Sequence, residues 1–135
     1  MRDLIYLKGA EGMEKLASYA VARNLIPFFG AGFSAGAEAL NGSVPDCAAA
    51  QEYMKKALIE ENPECADNLA EFDFTELAGE FYNNVPGSKR ARYFEDNFTN
   101  VKLSDNLKSF LSEIDWPYAY TINFDDGIEQ SILDG

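Results

Sequence analysis

The stretch Leu25-Ile26-Pro27-Phe28-Phe29-Gly30-Ala31-Gly32-Phe33-Ser34 decides the fold of this 135-residue chain. It is a continuous apolar run that ends in small residues, which is typical of a buried strand in a parallel sheet covered by helices on both faces. Because proline cannot donate to a sheet ladder, strand pairing is expected to begin after Pro27. A second run, residues 118–122, is rich in aromatic and β-branched side chains and predicts a second strand.

Apolar residues at helical spacing fill most of the remaining chain. The predicted helices cover residues 11–24, 46–60, 73–82 and 86–98, a segment that begins after Ser104, and residues 126–133. The short run at residues 4–7 fits either a strand or the first turn of a helix. This order of elements predicts an α/β fold, with a Rossmann-like parallel sheet core of few strands and a helical insert over about residues 46–114.

Composition excludes several classes of function. Lys and Arg number 11 against 23 Asp and Glu, a net charge of −12 that argues against nucleic acid or an anionic membrane as a partner. The chain has no histidine, and its two cysteines, Cys47 and Cys65, are too few for a zinc site. With no histidine and only two cysteines, no metal site is expected. No secretory signal or membrane-spanning run is recognisable, so a cytoplasmic location is expected.

Residues Gly30, Ala31, Gly32, Phe33 and Ser34 follow the first strand as a loop of mostly small residues. Glycines let backbone N–H groups approach a diphosphate closely, and a helix that began near Ser34 would add positive potential there. The alternative is a tight strand-to-helix turn that binds nothing.

Thr121, Asn123 and Asp125 follow the second strand and alternate, so they point the same way if the chain stays extended. The carboxyl ends of parallel strands meet at one edge, where ligands bind in open sheets. Both polar clusters are therefore expected to converge on one crevice. The alternative is that the Asn and Asp side chains cap the next helix.

Taken together, the two segments resemble the SIR2-like (sirtuin) family, in the form found in bacterial antiviral defence proteins. Val44-Pro45-Asp46 is similar to the family's cofactor loop, although Cys47 and Ala48 stand where the family has Phe-Arg. The resemblance implies NAD as the bound cofactor and a catalytic role for Asn123, which would position water or ribose, and for Asp125, which would hold the carboxamide. It assigns cofactor binding to Gly30, Ala31, Gly32, Phe33, Ser34, Pro45, Asp46, Thr121, Asn123 and Asp125.

The resemblance implies NAD glycohydrolase chemistry in the complete protein. A catalytically inactive nucleotide-binding or interaction module stays open, and an NAD-dependent protein deacylase is disfavoured by the missing paired cysteines. The family's catalytic His and adenine-binding strands would lie downstream, so residues 1–135 are expected to be the N-terminal portion of a SIR2-like domain. Weak or no hydrolysis is expected from this chain alone. A narrow sheet has exposed edges, so the chain is expected to self-associate through such an edge. A homo-oligomer or a downstream domain would complete the site.

Three further features have two readings each. The basic cluster at residues 88–92 fits a solvated helix face better than a phosphate contact. The aromatic residues of the helical middle fit core packing better than the lining of a channel; they are Phe72, Phe74, Phe81, Tyr82, Tyr93, Phe94 and Phe98. The acidic pairs Glu60-Glu61 and Asp125-Asp126 lack the spacing of a calcium loop, which disfavours a divalent cation.

Overall fold

A computed structural model describes residues 6–133 of the chain. The helices are α1 (Gly9–Val21), α2 (Cys47–Glu61), α3 (Phe74–Asn84), α4 (Gly87–Phe98), α5 (Asp105–Ser112) and α6 (Gly127–Leu133), and the strands are β1 (Phe28–Phe29) and β2 (Tyr120–Thr121). A 3₁₀ turn at Pro63–Cys65 follows α2. Residues 4 and 5 of the apolar run 4–7 lie outside the described residues, and Tyr6 and Leu7 have no regular structure.

The prediction of a Rossmann-like α/β core is wrong. Within residues 6–133 the sheet is a single parallel pair of two-residue strands, with Phe28 opposite Tyr120 and Phe29 opposite Thr121, and the rest is mainly helical. Phe29 is 6% exposed but Phe28 is 66% exposed, so helices do not cover both faces of β1. A continuous apolar run therefore did not imply burial on two sides.

Pairing begins directly after Pro27, as predicted. The Tyr120 N–H donates to the Pro27 carbonyl (3.0 Å), and the Ile122 N–H donates to the Phe29 carbonyl (3.3 Å). Proline has no N–H of its own to donate, which limits the ladder at this end. The parallel pairing fixes the loops after β1 and β2 at the same edge of the sheet, because both strands run in the same direction.

The helices between the strands begin and end close to the predicted residues. Asp46 caps α2 by accepting the Ala49 N–H (2.8 Å), and Asp73 forms a capping box with Glu76 at the start of α3. Helices α2 and α3 pack against each other around a core of buried apolar side chains. The members of this core are Met54, Ala57, Leu58, Leu69, Leu77, Phe81 and Val85. This core holds α2 and α3 together, and these two helices with α4 form the helical layer that faces the strand ends.

Helix α1 differs from its prediction in burial. Its apolar residues recur at helical spacing, yet Met13 and Val21 are exposed and only Gly12 and Ala20 of the helix are buried. Helical periodicity predicted the element correctly, but it did not show whether another part of the chain covers the apolar face.

The segment after β1 forms turns, and no helix begins near Ser34. The Phe33 N–H donates to the Gly30 carbonyl, and the Gly36 N–H donates to the Val44 carbonyl. Gly36 has a φ of +80°, which a residue with a side chain rarely adopts. The chain then runs into a second core of Ala39, Val44, Val101 and Leu103, with Phe33 packed against it. No helix dipole is therefore available to an anion at this loop.

None of the helices in residues 6–133 is both long enough and apolar enough to cross a membrane.

Candidate functional site

Ser34 and the segment after β2 contact each other through side-chain hydrogen bonds. The Ser34 hydroxyl donates to Asp125 Oδ2 (2.5 Å), and Asn123 Nδ2 donates to Ser34 Oγ (3.3 Å). Ser34 is 1% exposed and Asp125 is 7% exposed, so this chain of bonds is shielded from water. Hydrogen bonds in such surroundings polarise one another and fix the orientation of each group. The two loops therefore converge on one site, as the sequence predicted.

The two aspartates after β2 also serve the backbone. Asp125 Oδ1 accepts the Gly127 N–H (3.0 Å), and Asp126 accepts the N–H groups of Asn100 and Val101. Burial alone would raise the pKa of Asp126, but the bonds from Val101, Gln130 and Asn100 together lower it below its usual value. The capping alternative is thus correct in part, because Asp125 binds both Ser34 and a backbone amide at the start of α6.

Gly127 is required by close packing at this point. A Cβ at Gly127 would lie 2.9 Å from Asp125 Oδ1 and 2.9 Å from a methyl group of Val101. The backbone can therefore approach the Asp125 carboxylate closely because residue 127 has no side chain.

A cavity of about 740 Å³ lies between the strand ends and the helical layer. This volume is within the range of about 300–1,000 Å³ that small-molecule sites occupy. Its wall is largely apolar and aromatic. The lining residues from the loops are Ala31, Val44, Pro45, Asp46, Ile122, Asn123, Phe124 and Asp125, and those from α2, α3 and α4 are Cys47, Ala50, Met54, Phe74, Ala78, Phe81, Tyr82, Gly87, Arg90, Ala91, Tyr93, Phe94 and Phe98.

Half of the sequence-predicted site residues line this cavity. They are Ala31, Pro45, Asp46, Asn123 and Asp125. Gly30, Gly32, Phe33, Ser34 and Thr121 do not line it. Phe33 stacks on Phe29, with 4.3 Å between ring centroids, and Thr121 Oγ1 accepts the Asn123 N–H (3.0 Å). Phe33, Ser34 and Thr121 thus hold neighbouring parts of the two loops, whereas Gly32 is exposed.

The glycine loop leaves its backbone open. A Cβ built on Gly30 or Gly32 would meet no atom within 4 Å, and neither residue has a positive φ. Within residues 6–133 the N–H groups of Ala31, Gly32 and Ser34 have no acceptor. The fold itself therefore does not require glycine at positions 30 and 32, and the loop retains free hydrogen-bond donors.

Two polar atoms on cavity-lining residues are buried without a hydrogen-bond partner among the described residues: Asn123 Oδ1 and the Tyr93 hydroxyl. Tyr93 stacks on Tyr53, with ring centroids 3.7 Å apart and planes 7° apart. Burial, with a smaller contribution from Tyr53, raises the pKa of Tyr93 to about 12, so its hydroxyl stays protonated. Buried polar atoms of this kind are rare in native proteins, and a polar ligand is one explanation for them.

Two polar residues of this wall, Arg90 and Tyr93, were not among the site residues predicted from the sequence. The basic cluster that contains Arg90 favoured a solvated face, and the recurring aromatic residues favoured a core. In the structure Phe81 belongs to the buried core and also reaches the cavity, whereas Phe74, Tyr82 and Phe94 line it and are exposed. Helical spacing predicted where these side chains lie along the helices, but it did not show that a cavity lies between the helices and the strand ends.

Two acidic side chains at the end of α2 form hydrogen bonds with a lysine of α4. Glu60 and Glu61 both accept hydrogen bonds from Lys89 (2.7 and 3.2 Å). The hydrogen bond with Lys89 lowers the pKa of Glu60, and the same bond raises the pKa of Lys89.

In the part of the chain from residue 6 to residue 133, no three His, Cys, Asp or Glu side chains are grouped so that they could hold a metal ion.

Neither protein-family models nor curated proteins nor solved structures give a significant match to this chain. The interpretation of the site therefore depends on its geometry and chemistry.

Proposed function

We propose that this chain binds NAD in the cavity, with the nicotinamide end toward Asn123, and that the site serves hydrolysis of the nicotinamide–ribose bond in the protein that carries it. The observation that carries the proposal is the state of Asn123. Its Nδ2 is fixed on Ser34 (3.3 Å), while its buried Oδ1 lies on a cavity-lining residue with no donor in residues 6–133. Because that oxygen has less than 1 Å² of accessible surface, a ligand hydroxyl or amide N–H would satisfy it once the Asn123 amide turned toward the cavity.

The cavity and its loops suit a dinucleotide in several respects. Aromatic side chains such as Phe74 and Phe94 offer faces on which planar rings can stack. The Ala31 N–H, which has no acceptor within residues 6–133 and belongs to a cavity-lining residue, is a donor of the kind that binds phosphate oxygens, and the Gly32 N–H follows it in the same loop. Because no Cβ stands at residues 30 and 32, phosphates can approach the backbone closely. The proposal rests on this site and does not require a Rossmann-like sheet.

The polar groups also suit the chemistry of glycosidic cleavage. Loss of nicotinamide produces positive charge on the ribose, so groups that present negative or partly negative atoms stabilise the transition state. Asn123 lines the cavity beside Asp125, where its amide oxygen, once turned toward the ligand, would accept from a ribose hydroxyl or a water molecule. Asp125 holds Ser34 and contributes negative charge in a shielded position, where electrostatic effects are stronger than in water.

The chain contains no histidine that could serve as a general base. Asp125 accepts hydrogen bonds from Gly127 and Ser34 through Oδ1 and Oδ2, and we assign it the role of fixing the two loops. We therefore expect measurable NAD binding by this chain with weak or no release of nicotinamide. The same observations favour a second candidate, a nucleotide-binding module without catalytic activity.

Calorimetric titration of the 135-residue chain with NAD tests the proposal. Asn123→Ala removes the acceptor and is expected to weaken NAD binding about tenfold, in line with one buried hydrogen bond. The matched control is Asn84→Ala, since Asn84 is exposed on α3, bonds to Glu80 and does not line the cavity. Absence of NAD binding by the unmodified chain would refute the proposal.

Nicotinamide release from the longest protein that the reading frame encodes separates the two candidates. Release that is lost in Asn123→Ala supports hydrolysis. Tight NAD binding with no release from the unmodified protein supports the module without catalytic activity. Rapid release from the 135-residue chain itself would contradict the expectation that these residues lack a complete set of catalytic groups.

A further inference from the structure

The three cations of the cluster at residues 88–92 have different surroundings. Lys89 pairs with Glu60 (2.7 Å) and Glu61 (3.2 Å) on α2, and Arg92 pairs with Asp96 (3.6 Å) one turn along α4. Arg90 forms no ion pair within residues 6–133, although it carries the same charge. It is partly buried and lines the cavity.

Two contacts hold the Arg90 guanidinium in place. Its Nε donates to the Val85 carbonyl (3.0 Å), and its central carbon lies 4.1 Å from the centroid of the Tyr82 ring. A guanidinium has five N–H donors, and the contact with Val85 uses one of them. The N–H groups on its two terminal nitrogens have no acceptor in the described part of the chain. The side chain is thus oriented, charged and available for bonding.

The other charged groups on the cavity wall do not neutralise Arg90. Asp46 caps α2 through the Ala49 N–H, and Asp125 accepts from Ser34 and Gly127. The chain as a whole has a net charge of −12, which repels anions from most of its surface. An anionic ligand therefore needs a local cation, and Arg90 is the one basic side chain among the described residues that line the cavity.

We propose that Arg90 binds a phosphate group of the ligand in this cavity. The inference deepens the proposed function, because it names the residue of the helical layer that would recognise the diphosphate of NAD. Arginine suits this role since its planar fork forms two parallel bonds to a phosphate, and stacking on Tyr82 keeps that plane fixed before the ligand binds. Ala31 of the glycine loop and Arg90 of α4 both line the cavity, so one ligand could contact both.

Calorimetry with three probes tests this role in the 135-residue chain: NAD, nicotinamide riboside, which has no phosphate, and inorganic pyrophosphate. Arg90→Gln is expected to weaken NAD and pyrophosphate binding roughly tenfold to a hundredfold, the value of hydrogen bonds to a charged group. Binding of nicotinamide riboside should change less than twofold. Arg92→Gln is the matched control, because Arg92 lies two residues away and does not line the cavity.

Arg90→Lys provides a second variant that keeps the charge and removes the fork. It should weaken NAD binding by an intermediate factor and leave nicotinamide riboside unaffected, so it carries the test if Arg90→Gln fails to fold. NAD binding that is equal in the unmodified chain and both variants would overturn the role of Arg90 and leave the proposed function intact.

The pyrophosphate probe distinguishes the two proposals in the opposite case. If the unmodified chain binds pyrophosphate but not NAD, and Arg90→Gln abolishes that binding, the role of Arg90 stands and the NAD proposal fails. If the unmodified chain binds neither probe, both proposals are wrong.

Discussion

The hydroxyl of Ser34 donates a 2.5 Å hydrogen bond to the carboxylate of Asp125, although the two residues are 91 positions apart in the chain. Both side chains are buried, and the parallel pairing of β1 with β2 brings their loops to the same edge. Asn123 completes the group by donating to Ser34 Oγ. This contact joins the two segments that the sequence marked as chemically distinctive, and it places them beside the cavity.

Ser34→Ala should destabilise the chain by about 1–3 kcal/mol, because it leaves a buried oxygen of Asp125 without its donor. Chemical denaturation monitored by circular dichroism measures the change in the free energy of unfolding. Ser18→Ala is the control, since the Ser18 hydroxyl bonds to the Lys15 carbonyl on an exposed part of α1, and a change within about 0.5 kcal/mol is expected there. Equal stability of Ser34→Ala and the unmodified chain would show that the buried contact does not contribute.

Gly30→Ala and Gly32→Ala should leave stability unchanged or raise it by up to about 1 kcal/mol, because a Cβ at either position meets open space and neither φ is positive. NAD binding should nevertheless fall at least tenfold in each variant, since the added methyl group blocks the approach of phosphates to the backbone. Thermal unfolding and calorimetry on the same samples measure both effects.

Gly79→Ala, on the exposed face of α3, is the matched control for the two loop variants. Its Cβ also meets no atom within 4 Å, and Gly79 does not line the cavity. It should raise stability by about 1 kcal/mol, as expected for glycine to alanine within a helix, and leave NAD binding unchanged. Undiminished NAD binding by Gly30→Ala and Gly32→Ala would show that the loop does not contact the ligand.

The lowered pKa of Asp126 predicts an acid-dependent loss of stability. Because the pKa of this carboxyl is lower in the folded chain than in the unfolded chain, its contribution is complete above the unfolded value of about 3.9. The contribution declines as the pH falls from there through the folded value. Unfolding midpoints between about pH 5 and pH 2 should therefore fall more steeply in the unmodified chain than in Asp126→Asn.

Asp67→Asn is the control for this measurement, because Asp67 is exposed and makes no hydrogen bond within the described residues. It should retain the pH dependence of the unmodified chain. An identical acid profile for Asp126→Asn would contradict the argument that the bonds to Asn100 and Val101 hold the charged form.

Phe28 and Tyr120 are register partners on the two-stranded sheet, and both are mostly exposed. Exposed aromatic side chains beside open strand edges favour pairing between chains. Phe28→Lys should therefore reduce self-association, which light scattering over a range of concentrations would detect. Val21→Lys, on the exposed end of α1, changes a comparable apolar residue away from the sheet and should reduce it less. A monomer at all concentrations for the unmodified chain would rule out this association.

The helices were predictable from local signals. Asp46 and Asp73 cap α2 and α3 as short-range chemistry dictates, and the start of β1 directly after Pro27 follows from the missing N–H of proline. The extent of the sheet was overestimated, because an apolar run predicts a strand but does not show how many of its residues pair with a neighbouring strand. The exposed Phe28 and Met13 show the same limit for burial, which depends on whether other parts of the chain cover a surface.

The amino-acid sequence by itself determined which segments are helical and which residues carry polar groups at the strand ends, since capping, proline chemistry and periodicity act between near neighbours. The tertiary structure alone decided that Arg90 lines the cavity with no acidic partner in residues 6–133. It also decided that Tyr93 and Asn123, which line the same cavity, each bury a polar atom that is unsatisfied within those residues. Those properties depend on the packing of α4 opposite the β2 loop, and contacts between residues distant in sequence leave no periodic signal.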